Sequence, residues 1–209
     1  MFLSLTQTYL KEWKPALTAA VTKLLYGGKR LRIGSSFSAD SVPRIIVDEH
    51  AELVIGNNVE LRRNVEIRVH GRAKVIIGDN VRIDRGVRIL AANNAVIEIG
   101  TGTRIGLYTV LNGGDSITIG KKVLVSGFVY LQTSMHGFAE RGVSVQDQGY
   151  DHAPVELKED VWLGTHVVIM PGCVLERGVV VGSNAVVTKS VSEYNVVAGI
   201  PAKSLKERV

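Results

Sequence analysis

Residues 77–89 read IGDNVRIDRGVRI and place an isoleucine at every sixth position, at Ile77, Ile83 and Ile89. The smaller branched residues Val81 and Val87 each follow four positions after an isoleucine. A period of six matches neither the 3.6-residue turn of a helix nor the simple alternation of a strand. It is typical of short strands separated by corners, so this stretch predicts a coil with flat sides.

The same interval extends in both directions from residues 77–89, always with Ile, Leu or Val at the repeated position. Residues 51–72, 73–94 and 95–114 each hold three such hexapeptides, which predicts one triangular coil per group. Stacked coils would lie about 4.8 Å apart, the ordinary spacing of neighbouring strands. The further repeated positions are Ile55, Leu61, Ile67, Ile99, Ile105, Leu111, Ile119, Val125, Leu131, Leu163, Ile169, Leu175, Val181 and Val187.

These repeats predict an all-β solenoid, a parallel β-helix, over residues 34–191, with an inserted loop at residues 132–160. An N-terminal helical segment, residues 1–33, precedes it. Its apolar residues lie near helical spacing over Ser4–Tyr26, and Gly27 and Gly28 supply the stop. We expect this helix to cap the open end of the coil, because terminal repeats expose apolar surface. It also suits contact with a membrane surface or a partner protein. A tail, residues 192–209, is expected to form a short helix.

Composition restricts the class of protein. The 209 residues include one cysteine, which excludes an internal disulfide framework and a multi-cysteine metal site. No apolar run reaches the length of a membrane span and no secretory leader is present, so we expect a cytoplasmic protein, or one at the inner face of the membrane. The net charge of +5 favours acidic partners. The usual nucleic-acid-binding motifs are absent, so we expect no nucleic acid partner.

The repeat is interrupted between Leu131 and Leu163, and insertions in a solenoid mark its functional face. The interruption carries His136 and His152, two of the five histidines. His136 comes directly after a predicted strand, so the strand holds it in place. A neutral imidazole near pH 7 is the usual general base for a hydroxyl or an amine. His136 is therefore the first candidate for catalysis.

The stretch VWLGTHVVIMPGCVLERGVVVGSNAVVTKSVSEYNVVAGIPAK, Val161–Lys203, resembles the C-terminal signature of hexapeptide-repeat acetyltransferases. These include galactoside, maltose, xenobiotic and polysaccharide O-acetyltransferases. The resemblance implies a left-handed β-helix, although the general crossover rule would favour the opposite hand. It also implies a homotrimer that uses acetyl-CoA as co-substrate without a metal.

Carried over position by position, the resemblance assigns the general base to His136. It implies coenzyme contacts at small or hydroxyl-bearing residues and at lysines near the C-terminal end, with a Trp beside the acyl group. Those positions are Trp162, Gly164, Thr165, Gly182, Ser183, Thr188, Lys189, Lys203 and Lys206. Acceptor contacts are expected at Asp115, Ser134 and His152. The resemblance indicates no metal ligands.

Two departures from the family pattern stand out. The stretch TSMHGF, residues 133–138, lacks the Asn or second His that many relatives carry near the base, so the residue that orients His136 is not identified. Gly114 stands where galactoside-type enzymes have an acceptor-binding Asp, so a galactoside acceptor is not implied. Cys173 falls at an inward position of the repeat, which predicts core packing and not a nucleophile.

Three functions remain open from the sequence. The first is acetyl transfer from acetyl-CoA to a carbohydrate hydroxyl in a bacterial surface polysaccharide or its precursor. The polar residues of the inserted loop suit such an acceptor. The second is the same transfer to an amine, such as an amino-sugar nucleotide. The third is a metal-dependent hydratase or a non-catalytic scaffold; a hydratase would need three histidines converging on zinc.

Overall fold

The computed structural model describes residues 2–209, and of residues 2–4, 11 and 12 the backbone only. The chain is a parallel β-solenoid with three faces, and each face is a sheet whose strands come from successive coils. The predicted fold class, a left-handed β-helix of hexapeptide repeats, is confirmed. We name the faces A, B and C in chain order and number the coils from 1 to 7 from the N-terminal end.

The strands of each face follow one another in parallel from coil to coil. Face A contains Leu31–Ile33, Glu52–Ile55, Lys74–Ile77, Val96–Ile99, Ile117–Ile119, Val155–Leu157 and Val174–Leu175. Face B contains Ser38–Ala39, Glu60–Leu61, Arg82–Ile83, Arg104–Ile105, Leu124–Val125, Trp162–Leu163, Val180–Val181, Asn195–Ala198 and Lys203–Glu207. Face C contains Arg44–Val47, Glu66–Val69, Arg88–Ala91, Val110–Gly113, Tyr130–Gln132, Val168–Ile169 and Val186–Val187.

The repeated aliphatic residues form the core, as predicted. Leu61, Ile83 and Ile105 are register partners in successive coils of face B, and at most 1% of each is exposed. Burying such a side chain contributes about 1.5–3 kcal/mol, so the columns supply most of the stabilisation. Thr103 and Thr109 occupy inward corner positions, where each hydroxyl donates to a carbonyl of the next coil and accepts an N–H.

Charged side chains stack in columns on the outside of the coils. Arg88 Nε lies 2.9 Å from Glu66 of the coil before it, and Arg82 Nε lies 3.4 Å from Glu60. Glu66 also pairs with Arg68 within its own strand. Opposite charges one strand apart contribute a few tenths of a kcal/mol to about 1 kcal/mol each.

The N-terminal segment is helical, as expected: Phe2–Thr8 is α-helical, Tyr9–Trp13 is a π-helical turn, and Lys14–Tyr26 is α-helical with Pro15 in its first turn. The last helix packs against the first strand of face B, and its buried Ala19 joins the core, so it caps the open end of the coil. Trp13 and Leu17 on its other side are exposed. No helix within residues 2–209 is long and apolar enough to cross a membrane.

The structure extends the coil beyond residues 34–191 and shortens the inserted loop. Leu31–Ile33 already pairs in face A, and Asn195–Ala198 continues face B in parallel. Val155–Leu157, inside the predicted 132–160 loop, is a strand of face A. Val155 and Leu157 alternate inward and are buried, so the apolar pattern resumes earlier than Leu163.

The predicted C-terminal helix is wrong. Lys203–Glu207 is a strand that pairs antiparallel with Asn195–Ala198. The last strand of a solenoid leaves a row of backbone N–H and C=O groups without partners. The returning tail satisfies those groups, which a short isolated helix could not do.

Candidate active site

The inserted loop begins as a two-stranded antiparallel ribbon at the corner between faces C and A. Ser134–His136 pairs with Tyr150–His152, with His136 opposite Tyr150 and Ser134 opposite His152. The ribbon follows directly from the face C strand that ends at Gln132. Its root is therefore held by coil 5 while its tip extends into solvent.

His136 is exposed at the outer end of this ribbon. Its imidazole lies against the Tyr150 ring, with ring centroids 4.2 Å apart and planes tilted by 35°. The contact limits the rotation of the imidazole about its side chain, while His136 as a whole remains exposed. Tyr150 is therefore the residue positioned to orient His136, which the sequence alone did not identify. The signal available in the sequence was weak, because a Tyr after Gly149 is ordinary in a loop.

The second histidine of the loop is tied to the ribbon. The Ser134 hydroxyl and His152 Nδ1 are hydrogen bonded at 2.9 Å, and the His152 ring lies 6.1 Å from that of Tyr150. Gly114, one coil below, makes room for this pair. A Cβ there would lie 2.0 Å from Ser134 Oγ and 3.0 Å from His152 Nδ1. An Asp at this position is therefore incompatible with the ribbon as it is packed.

Asp115 serves the corner beneath the ribbon. Its carboxylate accepts the backbone N–H of Ser116 at 2.6 Å, and its own N–H donates to Thr133 Oγ1 at 3.0 Å. The buried Thr133 hydroxyl in turn donates to the carbonyl of Asn112 at 2.8 Å. These bonds brace the start of the ribbon, so the structure gives Asp115 a structural role near the candidate acceptor residues Ser134 and His152.

The tip of the loop, residues 137–149, closes on itself. The Gln148 side chain accepts the backbone N–H of Glu140 at 2.9 Å and donates to the carbonyls of Glu140 and Val143 at 3.1 and 3.0 Å. A hollow of about 410 Å³ lies between Phe138 and Gln148. The tip of the loop therefore has internal order.

The candidate coenzyme residues lie mainly on the corner between faces B and C, in coils 6 and 7. A Cβ on Gly164 would lie 2.6 Å from the Ser183 backbone nitrogen, so only glycine lets these two corners stack. Gly182 likewise faces Ala198 at the end of the coil. The Thr165 hydroxyl donates to the Gly127 carbonyl at 2.9 Å. The four positions themselves carry only small side chains.

Trp162 lies on face B just before that corner. Its indole is 48% exposed, and its Nε1–H donates to Ser126 Oγ at 3.3 Å. Beside it lies a hollow of about 510 Å³ whose apolar floor includes Leu124 and Val180. The indole is thus available to a ligand on one side and anchored to the coil on the other.

The hydroxyl and lysines of the C-terminal end are exposed. Thr188 and Lys189 follow the last strand of face C, and Lys203 and Lys206 belong to the returning strand of face B. None of the three lysines forms an ion pair with a residue that the structure describes. Backbone bonds link Val186 to both Gly199 and Ala202, which brings Lys203 close to the end of face C.

One chain does not bring the candidate base His136 to the candidate coenzyme residues of the B–C corner, although Thr188 and Lys189 follow a face C strand two coils above it. His136 belongs to the C–A corner, whereas Gly164, Thr165 and Ser183 belong to the B–C corner, at the opposite end of face C. From Phe128 at one corner to Thr133 at the other, the extended chain covers about 16 Å at roughly 3.3 Å per residue. The width of face C therefore separates these two corners within one chain.

Stacked aromatic rings occupy the B–C corner, and the repeat pattern did not predict them. Tyr108, Phe128 and His166 succeed one another in coils 4, 5 and 6, with centroids 5.4 and 4.8 Å apart. All three have left-handed backbone conformations, with φ of 54°, 60° and 58°. Such φ values are uncommon for bulky residues, and the ring stacking offsets part of their cost.

His166 thus lies at a different corner from His136 and His152. Among residues 2–209, no group of three or more His, Cys, Asp or Glu side chains is arranged to hold a metal ion. The buried Cys173 packs in the core as predicted, and burial raises the pKa of its thiol.

Comparison with known proteins supports the family that the motifs indicated. Residues 154–189 match the family "Bacterial transferase hexapeptide (six repeats)". The chain is 34% identical over 104 residues to a protein of Mycobacterium tuberculosis described as a probable acetyltransferase, a match covering 50% of this chain and 35% of that protein. It is 33% identical over 100 residues to WbbJ of Escherichia coli, provisionally named a lipopolysaccharide biosynthesis O-acetyl transferase. That match covers 44% of this chain and 51% of WbbJ.

The matched segments thus span about half or less of these relatives. Among solved structures, a variant of AntD, an N-acyltransferase from Bacillus cereus bound to an amino-sugar nucleotide and coenzyme A, superimposes with a TM-score of 0.63. The superposition covers 91% of this chain and 89% of that one at 20% identity, so it indicates a shared fold only. With the hexapeptide match and the acetyltransferase relatives, the resemblance to the hexapeptide-repeat acetyltransferase family is confirmed.

Proposed function

We propose that this protein is an acyltransferase that moves the acetyl group of acetyl-CoA to a carbohydrate hydroxyl, in a bacterial surface polysaccharide or its precursor. The observation that carries the proposal is the exposed imidazole of His136, which lies against Tyr150 at the outer end of a paired ribbon. A base whose ring is oriented and whose nitrogens are accessible is what proton removal from a hydroxyl requires. The relatives named acetyltransferases support the reaction class.

In the proposed reaction, His136 accepts the proton of the acceptor hydroxyl while the hydroxyl oxygen bonds to the carbonyl carbon of the acetyl thioester. The carbon–sulfur bond breaks, and the imidazolium returns the proton to the departing thiolate. One ester and one free thiol result, so atoms and charge balance. Tyr150 keeps the imidazole aligned through both proton transfers, and its ring face is favourable to the transient imidazolium.

The residues of the B–C corner fit a coenzyme A arm. Gly164 and Gly182 leave backbone groups uncovered, and Thr165 and Ser183 add hydroxyls at the same corner. The exposed Lys189, Lys203 and Lys206 suit phosphates, since a lysine ammonium binds phosphate as a point charge. Acetyl-CoA supplies the activated acetyl thioester when bound. We propose that no metal takes part.

We propose that the active protein is a homotrimer with sites shared between copies. The separation of His136 from Thr165 within one chain supports this assembly, since packing parallel coils side by side would bring different corners of two copies together. Light scattering should give a trimer at micromolar concentration. Mixing His136→Ala chains with Lys203→Ala chains should restore part of the activity that each variant lacks, and no restoration would mean that each chain holds a complete site.

The reaction is tested by following free thiol release from acetyl-CoA with a panel of glycans and amines. Transfer to hydroxyl-bearing saccharides that survives a chelator and disappears in His136→Ala supports the proposal. Transfer confined to amines, with glycans untouched, would assign the protein to N-acetylation instead. Loss of activity on chelation would contradict the metal-free mechanism.

A further inference from the structure

Six residues form one column along the B–C corner, and the candidate coenzyme contacts occupy its upper end. Each follows the inward aliphatic residue of face B by two positions, and register pairing links those aliphatics from coil 2 to coil 7. In each coil, the residue that follows the column member donates its backbone N–H to the carbonyl of the column member in the coil below, as Gly86 does to Arg63. These hydrogen bonds hold the six positions in register. From coil 2 to coil 7 the members are Arg63, Arg85, Leu107, Gly127, Thr165 and Ser183.

The lower end of this column is cationic. A surface hollow of about 290 Å³ there is lined by Arg62, Arg63, Arg82 and Arg85, together with Asp40 and Asp84. We call it the arginine hollow. Its volume is small, so it suits one acidic group and not a whole coenzyme.

The arginine side chains divide into two kinds. Arg62 pairs with Asp40 and Glu60, and Arg82 pairs with Glu60. Arg63 and Arg85 are exposed and form no ion pair with any residue that the structure describes. Asp84 accepts the backbone N–H of Arg85 with its carboxylate. Two guanidinium groups, one coil apart, are therefore available to an external anion.

Face B adds a further unneutralised charge above the hollow. Arg104 is the register partner of Arg82 in the next coil, it is exposed, and no described residue forms an ion pair with it. Like charges directly opposite each other on neighbouring strands destabilise a sheet. The Glu52–Lys74 and Glu66–Arg88 columns avoid this arrangement. An anion in the arginine hollow would lie beside Arg82, one strand from Arg104.

We propose that the arginine hollow binds a carboxylate of the acceptor, and hence that the acceptor is an acidic saccharide. The identification of the ligand as the acceptor rests on the proposed acetyl transfer. The binding of a carboxylate in the hollow does not depend on it. Arg85 lies three coils below Thr165 on the same column, about 14 Å at about 4.8 Å per coil. That span leaves room for a saccharide between the acetyl group and the hollow. Guanidinium groups suit the site because they bind carboxylates through two parallel hydrogen bonds.

The test measures binding by calorimetry and needs no acetyl transfer. The probes are linear oligomers of galacturonic acid and of mannuronic acid, their neutral methyl esters, and UDP-glucose. The proteins are the natural chain, the Arg63→Ala/Arg85→Ala double variant, and Arg72→Ala as control. Arg72 is an exposed arginine of similar height on the C–A corner that forms no ion pair with a described residue. Coenzyme A affinity is measured for each protein in the same series.

We expect the natural chain and Arg72→Ala to bind an acid oligomer but not its ester. The double variant should bind the oligomer at least tenfold more weakly, with coenzyme A affinity unchanged. The inference would be overturned if the double variant bound the acid oligomers as tightly as the natural chain, or if the natural chain bound neither acid oligomer. Either result, with coenzyme A still bound, would leave the proposed function intact. Arginine-dependent binding of UDP-glucose alone would also overturn it, by assigning the hollow to a diphosphate. Loss of coenzyme A binding by the natural chain would count against the proposed function itself.

Discussion

The ring of Tyr150 lies 4.2 Å, centroid to centroid, from the imidazole of His136, across the antiparallel ribbon at the root of the inserted loop. The two residues are register partners, so the backbone pairing of the ribbon sets their contact. Ser134 and His152, the register pair two residues closer to the coil, lock the ribbon with a hydrogen bond of 2.9 Å. The imidazole proposed as the base thus contacts an aromatic ring, and among the described residues no carboxylate or amide is hydrogen bonded to it.

Replacing Tyr150 should separate orientation from substrate binding. Tyr150→Leu removes the ring face, so we expect kcat to fall about tenfold or more while the KM for acetyl-CoA stays nearly constant. Tyr150→Phe keeps the ring and should retain most of the activity. Steady-state kinetics on both variants provide the measurement. Equal losses in the Leu and Phe variants would assign the effect to the hydroxyl and refute the ring contact.

Replacing His136 should remove the proposed base. His136→Ala is expected to lower kcat by about 10² or more, which is typical for losing a general base. Coenzyme A affinity, measured by calorimetry, should not change, because Gly164, Thr165 and Ser183 lie on the B–C corner and Lys189 lies two coils above His136. His152→Ala is the matched comparison and should cost less, since His152 acts on the ribbon through Ser134. Full activity in His136→Ala would exclude it as the base.

The exposed lysines should govern coenzyme affinity. Lys203→Ala or Lys189→Ala is expected to weaken coenzyme A binding several-fold, more at low salt than at high salt, because exposed charges are screened. Dephospho-coenzyme A, which lacks one phosphate, should show a smaller difference between variant and natural chain. Lys121→Ala, an exposed lysine on the A–B corner, is the control and should bind normally. Unchanged affinity in both test variants would contradict the carried-over assignment.

The inward columns should tolerate no charge. Ile83 has 0% of its surface exposed, so Ile83→Asp would bury a carboxylate without a partner and should abolish folding. Ile83→Ala should cost about 2–5 kcal/mol by leaving a cavity. Arg82→Ala, on the outward side of the same strand, should cost about 1 kcal/mol or less. Thermal unfolding followed by circular dichroism distinguishes the three, and a stable Asp variant would disprove the inward orientation.

Glu66 should make the stability depend on pH in the acid range. Its partial burial raises the pKa of the carboxyl, but hydrogen bonds from Arg68 and Arg88 outweigh that effect and lower it from the usual 4.5. A group with a lowered pKa in the folded state stabilises the protein above its unfolded pKa, and that contribution is lost as the pH falls through the folded pKa. Glu66→Gln should therefore lower Tm by about 2–4 °C at pH 7, for a cost of about 1 kcal/mol.

The difference between Glu66→Gln and the natural chain should shrink as the pH falls through the lowered pKa of Glu66, because the carboxyl then becomes neutral like the amide. Glu98→Gln is the control, since Glu98 is exposed and forms no ion pair with a described residue. Its Tm should follow that of the natural chain at every pH. A difference that stays constant from pH 7 to pH 3 would show that packing, and not charge, explains the effect at Glu66.

The solenoid could be predicted from the sequence because its information is local. An inward position must be apolar whatever lies above or below it, so Ile77, Ile83 and Ile89 reveal the period without knowledge of their neighbours. The interruption after Leu131 is equally visible, and the motifs after Val161 carry the family resemblance. The C-terminal strand was missed because its cause is not local: Lys203–Glu207 extends to satisfy the open edge of Asn195–Ala198.

Contacts around His136 depended on the tertiary structure for the same reason. Tyr150 reaches His136 because the loop closes and its two ends pair in one register, and a shift by one residue would turn Tyr150 to the other side. Gly114 is needed by Ser134 and His152, residues of the next coil that no spacing rule connects with it. The periodic sequence thus determined which residues face the core, whereas the register between distant segments decided which side chains meet at the candidate site.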